Sequence, residues 1–160
     1  MIKSLAIFLI LTIVIPGHVF SQTNKKEEYS LQIRKGTVVK GSSQNIWTIP
    51  TTLTNLSDDT LKYFSVRCSW QDFYFVNNEK LFVLKSMCEK NNPIVLKLPP
   101  KKSTTVGLKL LITPTLDTSF IRFKVGFDLI RANKPTTEFN IKDVLLRENV
   151  IWSNELKIQN

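Results

Sequence analysis

The sequence predicts an all-β domain built from two packed antiparallel sheets, and three observations lead there. Short runs rich in Val, Ile, Thr, Phe and Tyr recur along the chain, separated by clusters of Asn, Asp, Ser, Pro and Gly. Within those runs apolar and polar residues alternate, which is the period of a strand with one buried face. Beyond residue 21, apolar residues nowhere recur at helical spacing over about ten residues or more. About seven to nine such strands, each with an apolar face, bury those faces most simply against a second sheet.

Residues 1–21 have the three parts of an export signal. Lys3 supplies the positive charge, Leu5–Ile15 is almost unbroken apolar sequence, and Pro16 and Gly17 end that run. Val19 and Ser21 place small residues where a signal peptidase reads them, so cleavage is expected after Ser21. The apolar run is about a dozen residues, short of the roughly 20 a spanning helix needs. No later segment is long and apolar enough to serve, and no cysteine follows the run to carry a lipid. The expectation is an exported protein, periplasmic or extracellular and not lipid-anchored. Residues 22–28 are polar and are expected to form a flexible leader. Residues 29–160 then form one domain, large enough to bury a core of its own.

The strands follow in order. Tyr29, Leu31 and Ile33 alternate with polar neighbours, and Gly36 and Gly41 bracket Val38-Val39. Trp47, Ile49, Thr51 and Leu53 alternate next. Pro50 lacks an N–H and predicts an edge position or a bulge. Asn55–Asp59 reads as a turn, because Asn, Ser and Asp side chains bond their own backbone. The strand after it is expected to put Phe64, Val66, Cys68 and Trp70 on one face, with Tyr63, Ser65 and Arg67 on the other. Leu81–Met87 reads as a strand after the Asn77-Asn78-Glu79 turn. Ile94, Leu96 and Leu98 alternate, and Pro99–Lys102 turns the chain. Thr105–Ile112 is the clearest strand, directing Val106, Leu108, Leu110 and Ile112 to the core. Ile121, Phe123, Val125, Phe127 and Leu129 repeat the pattern opposite Arg122, Lys124 and Asp128. Residues 139–147 are expected to be extended or to hold one short turn. Trp152 and Leu156-Lys157-Ile158 give the last strand.

Two cysteines, Cys68 and Cys88, allow a single intramolecular pairing. An exported chain meets oxidising conditions, so a disulfide is expected. Closing a loop of about 20 residues stabilises a fold by roughly 3 kcal/mol.

Leu53–Leu61, reading Leu-Thr-Asn-Leu-Ser-Asp-Asp-Thr-Leu, resembles the turn between two strands of an immunoglobulin-like domain. Ile94–Leu110, with Leu98-Pro99-Pro100 before Ser103 and Val106-Gly107-Leu108, resembles the proline turn and following strand of such domains. Cys68-Ser69-Trp70, Cys88-Glu89-Lys90-Asn91 and Ile151-Trp152-Ser153-Asn154 resemble marks of small exported bacterial proteins of uncharacterised function. The resemblance spans roughly residues 47–158 and implies an immunoglobulin-like antiparallel β-sandwich. It implies little about activity, since that fold hosts unrelated functions. Antibody domains place their cysteines far apart, bridging the two sheets across a tryptophan. The close pair here is expected instead to tie a strand to a nearby loop or adjacent strand.

The chemistry of the chain narrows its function further. The one histidine, His18, lies in the export signal, so the remaining chain has none. Histidine-based nucleophile activation and most zinc sites go with it. No metal site, cofactor or catalytic residue is expected. No G-x-S-x-G motif or phosphate-binding glycine loop occurs. Asp58-Asp59 in its turn is expected to be solvated, and Ser57-Asp58-Asp59 is too short for a calcium loop. A carboxylate-only glycosidase is the runner-up enzyme class. With 22 Lys and Arg against 13 Asp and Glu, the net charge is +9. Those basic residues are scattered, the densest group being Lys97, Lys101 and Lys102, so nucleic acid is not an expected partner. Asn55-Leu56-Ser57 matches a glycosylation acceptor but carries no meaning in a bacterial host. The densest aromatic stretch is Trp70-Gln71-Asp72-Phe73-Tyr74-Phe75. Trp70, Phe73 and Tyr74, with Asn77, Asn91 and Asn92 nearby, are the candidate ligand platform. The expected function is a non-catalytic binding module at the bacterial cell envelope, its partner an envelope protein or a glycan.

Overall fold

The computed structural model describes residues 27–41, 44–88, 91–112, 121–140, 142 and 146–158. The expected export signal and residues 22–26 of the expected leader lie outside them. The elements are β1 (Tyr29–Ile33), β2 (Thr37–Lys40), β3 (Asn45–Asn55), β4 (Leu61–Val66), a 3-10 turn (Trp70–Phe73), β5 (Tyr74–Val76) and β6 (Leu81–Val83). They continue with β7 (Pro93–Leu98), β8 (Ser103–Ile112), β9 (Arg122–Phe123), β10 (Val125–Asp128), a second 3-10 turn (Thr136–Glu138), β11 (Val150–Trp152) and β12 (Leu156–Lys157).

The first sheet runs β1-β3-β8-β6, with β2 continuing the β1 edge of β3. The second runs β5-β10-β11. It is extended by β9–β12 at one end and by β4–β7 at the other, where Phe64 N–H donates to Ile130 C=O and Tyr63 bridges Arg131. Among the described residues the strand-to-strand ladders are antiparallel. The division of strands is that of an immunoglobulin-like sandwich, in which A, B, E and D share one sheet and C, F and G the other.

The core forms where the inner faces meet. Trp47, Ile49 and Leu53 of β3 and Leu108, Leu110 and Ile112 of β8 face Phe123, Val125 and Phe127. The edge of Trp47 meets Phe123 at 5.5 Å between ring centres, joining the sheets. Burying each such side chain stabilises the fold by roughly 1.5–3 kcal/mol. The alternation expected along β3, β8 and Ile121–Leu129 is thus present.

Four local expectations are corrected. Pro50 lies in a central strand, not at an edge or bulge: it pairs Gly107 on the β8 side. Its missing N–H falls at the break between β1 and β2, where Arg34 N–H still donates to Pro50 C=O. Gly36 makes that break possible, since a Cβ there would lie 1.8 Å from the Thr48 carbonyl oxygen. The strand after the Asn55 turn ends at Val66, because Asp72 N–H closes a turn on Ser69 C=O and carries Cys68 and Trp70 out of register. Tyr63, Phe64, Ser65 and Val66 are consequently all buried, Tyr63 against Phe127 and Phe64 under Phe139. The strand at Leu81 is only three residues long. Asp128, expected on the outer face, is covered rather than solvated. Of residues 139–147, Ile141 and positions 143–145 lie outside the described residues.

Cys68 and Cys88 are disulfide-bonded with their Cα atoms 6.2 Å apart. The bond joins the loop leaving β4 to the loop entering β7. Arg67 N–H donates to Asn92 C=O beside it. It therefore fastens the open end of the β4–β7 pair rather than crossing the sandwich.

Candidate functional site

The structure separates the residues that the aromatic stretch brought together in sequence. Phe73 is 1% exposed, turned towards Phe127 and Phe139, and Tyr74 packs on Phe127 at 4.7 Å. Burial, with Tyr63 nearby, pushes the Tyr74 phenol above its ordinary range. Neither ring can offer a face to a ligand. Trp70 is half-buried, its ring edge-on to Tyr74, and with Gln71, Lys85, Ser86 and Lys109 it lines a pocket of about 360 Å³.

The three asparagines hold turns. Asn77 Oδ1 accepts Lys124 N–H at 2.7 Å, at the join of β9 and β10. Asn91 Oδ1 accepts Ser69 N–H, and Asn92 supplies the carbonyl that Arg67 uses. The apparent glycosylation acceptor Asn55 is wholly buried. Its Nδ2 donates to the carbonyls of Asp59, Leu98 and Pro99, while its Oδ1 accepts from the N–H and hydroxyl of Ser57.

A different aromatic surface is open to solvent. Register places Phe75, Gly126 and Trp152 in one row across β5, β10 and β11. Trp152 is 45% exposed and meets Phe75 at 5.2 Å, nearly perpendicular. Gly126 lets the Phe75 ring cross the strand: a Cβ there would sit 2.6 Å from Phe75 Cζ. The Arg147 guanidinium stacks over Phe75 at 4.2 Å, favoured by the negative ring face. Arg147 has φ 52°, a left-handed backbone uncommon outside glycine and asparagine.

One residue further along β10, Asp128 is 1% exposed. Its Oδ1 accepts Asn149 N–H at 3.3 Å, and its Oδ2 has no partner. Burial raises its pKa, partly opposed by the Asn149 hydrogen bond.

Trp152 also borders a cleft of about 680 Å³ beside β1 and β11, bounded by Glu28, Tyr29, Leu31 and Arg131. Arg131 pairs with the Glu28 carboxylate and lies 5.1 Å over the Tyr29 ring. Other carboxylates are spread over the surface in separate ion pairs: Asp72 with Lys85, Asp58 with Lys101 and Glu155 with Arg122. Among the described residues, no three His, Cys, Asp or Glu side chains gather as a metal site would require.

In the sequence Trp152 stands in the last strand and in the Ile151-Trp152-Ser153-Asn154 resemblance, with no sign of an exposed aromatic row. The signal for its setting was Gly126, the small residue in Phe-Lys-Val-Gly-Phe, which marks close approach of a neighbouring side chain. The pairing of Gly126 with Phe75 and Trp152 needs strand register and is not written in either segment.

No family model matches the chain, and no curated protein matches it. Among solved structures, native alpha-2-macroglobulin from Escherichia coli, in a crystal structure spanning domain MG7 to the C-terminus, is similar with a TM-score of 0.42 and 14% identity. That similarity covers 81% of this chain and 16% of the other. The fold assignment rests on the strand pairing itself.

Proposed function

We propose that this protein is a non-catalytic interaction module, exported to the bacterial cell envelope, that binds a protein partner around Trp152. The observation that carries this reading is the position of that ring: a half-exposed tryptophan where an aromatic row meets a cleft of about 680 Å³. Large aromatic side chains at the centre of a protein contact supply much of its binding energy. The export signal in residues 1–21 and the Cys68–Cys88 disulfide support an oxidising compartment. Among the described residues no helix is long and apolar enough to cross a membrane. Burial of Phe73 and Tyr74 removes most of the flat platform that a sugar ring would need. A glycan would have to use the smaller Trp70 pocket.

The test is capture on immobilised protein from separated envelope protein and polysaccharide fractions, comparing wild type with Trp152→Ala and Trp70→Ala. A protein ligand should be retained by wild type and Trp70→Ala, and bind Trp152→Ala about 30-fold more weakly. Retention indifferent to Trp152 overturns the reading. Polysaccharide retention that depends on Trp70 would establish the glycan alternative in its place.

A further inference from the structure

We infer that the open edge of β8, from Ser103 to Gly107, takes up an extended acidic segment of a partner protein as an added strand. This edge lies apart from Trp152 and is argued independently of the reading above. Asn55 N–H donates to Lys102 C=O, and further along Leu84 N–H donates to Lys109 C=O. The even-numbered residues of β8 therefore turn their main-chain groups to β3, and the odd-numbered ones turn theirs to the opposite side. On that side β6 covers only Leu110 to Ile112, with Leu84 adding its one bond at Lys109. The N–H and C=O groups of Ser103, Thr105 and Gly107 have no strand beside them among the described residues. Gly107 has no side chain, so its exposure is that of its main chain.

The chain that follows β6 accounts for the missing length of strand. Continued in register, Ser86 would stand opposite Gly107 and Cys88 opposite Thr105. Both are drawn away towards the first 3-10 turn. Ser86 C=O accepts the Ser69 hydroxyl at 3.3 Å, and the Ser86 hydroxyl accepts Gln71 Nε2 at 2.9 Å. Lys85 pairs with Asp72 at 2.9 Å, and Cys88 is bonded to Cys68. The pocket of about 360 Å³ beside Trp70 has Ser86 and Gly107 among its walls. The core thins at the same place. Thr104 and Val106 hold inward positions of β8, yet Thr104 is exposed and Val106 half-buried, whereas Leu108, Leu110 and Ile112 are buried. On β7, Leu96 shares the inner face with its partner Tyr63 and is still 38% exposed. Unpaired main chain and uncovered apolar side chains thus coincide where the first sheet is one strand short. An added strand satisfies both at once.

The surroundings define the occupant further. Its residues opposite Thr104 and Val106 point inwards and are apolar, to cover Val106 and Leu96. Those opposite Thr105 and Gly107 point outwards, on the face that carries Lys109. Lys101 and Lys102 lead into β8, which contains no carboxylate. Acidic residues at the outward positions complement this edge. The net charge of +9 on the whole chain attracts such a segment and repels a second copy.

The probe is a soluble, end-capped peptide of alternating Val and Glu, with two N-methylated versions, one methylated at its Glu residues and one at its Val residues. With Val inwards, the Glu amides reach β8 and the Val amides point away. Amide exchange is followed by NMR on the purified, disulfide-bonded protein. The unmethylated and Val-methylated peptides should slow exchange of the Thr105 and Gly107 amides about tenfold at saturation, and the Glu-methylated one should not. Lys109→Glu, at an exposed position, should weaken the peptide about fivefold. Thr105→Pro removes an N–H that faces the open edge and none that β8 gives to β3, so it should weaken binding about fivefold as well. If that variant misfolds, the two methylated peptides still decide the matter. Trp152→Ala should bind the peptide as wild type does. Equal binding of the two methylated peptides, no binding at millimolar peptide, or loss of binding in Trp152→Ala overturns the inference. Protection of Thr105 and Gly107 without peptide overturns it too. If that protection rises with protein concentration, a second copy holds the edge; if it does not, the chain's own loop does.

Discussion

Asn55 has no contact with solvent, and its amide oxygen and nitrogen both serve as hydrogen-bonding anchors between two turns. Truncation strands several buried carbonyls at once, each costing about 1–3 kcal/mol when left unpaired. Asn55→Ala should therefore lower unfolding free energy by about 3 kcal/mol in urea titration, with any partner still bound by the remaining folded protein. Asp128 works in the opposite sense. Its folded-state pKa is raised above 3.8, so above that value the native state holds the proton more tightly than the unfolded chain does. Stability must then fall as pH rises through the folded-state pKa. Asp128→Asn keeps an acceptor for Asn149 N–H and removes the charge. Its urea midpoint should equal wild type at pH 3 and exceed it at pH 7; a lower midpoint at pH 7 would show that the buried carboxylate has a partner there.

Among the elements, the interrupted strand from Leu61 to Val76 matters most. The 3-10 turn within it sends Phe73 into the core and carries Cys68 to its partner. Breaking the disulfide with Cys68→Ser and Cys88→Ser releases the loop between them and should cost roughly 3 kcal/mol. The strand signal in circular dichroism should survive, since β3 and β8 form their ladder without it. Thiol titration of the denatured, unreduced protein should find no free thiol. At β10, Gly126→Val would drive a methyl into the Phe75 ring. Overpacking of this kind costs about 1–3 kcal/mol, and the emission of Trp152 should shift as its contact with Phe75 opens.

At the scale of the whole molecule, most pairings join segments far apart in sequence: Asn45 lies opposite Ile112, and Leu31 meets Ser153. Closing such long loops before any contact rewards them makes folding slow. Refolding followed by tryptophan fluorescence should take milliseconds to seconds. Microsecond refolding would mean that local structure, not the sandwich, carries the signal. The same long-range closure creates the cleft, because β1 and β11 come from the two ends of the domain and meet at one corner.

Much of this was legible in the chain. Alternation at Trp47, Ile49, Thr51 and Leu53, and again from Ile121 to Leu129, marked the inner faces, because a pleated strand turns successive side chains to opposite sides. Two cysteines left one pairing to make. The outer faces were not legible, because whether a residue there is solvated depends on what lies across it. Phe64 is covered by Phe139, and Asp128 is enclosed, although nothing near either in sequence says so. Which rings of Trp70–Phe75 are core and which are surface was not legible, because a local turn resets the strand alternation there. The setting of Trp152 exists only because register places it beside Phe75 across Gly126. The sequence by itself determined which side chains must leave water. The tertiary structure decided which strand edges remained unpaired, because that depends on partners brought together from opposite ends of the chain.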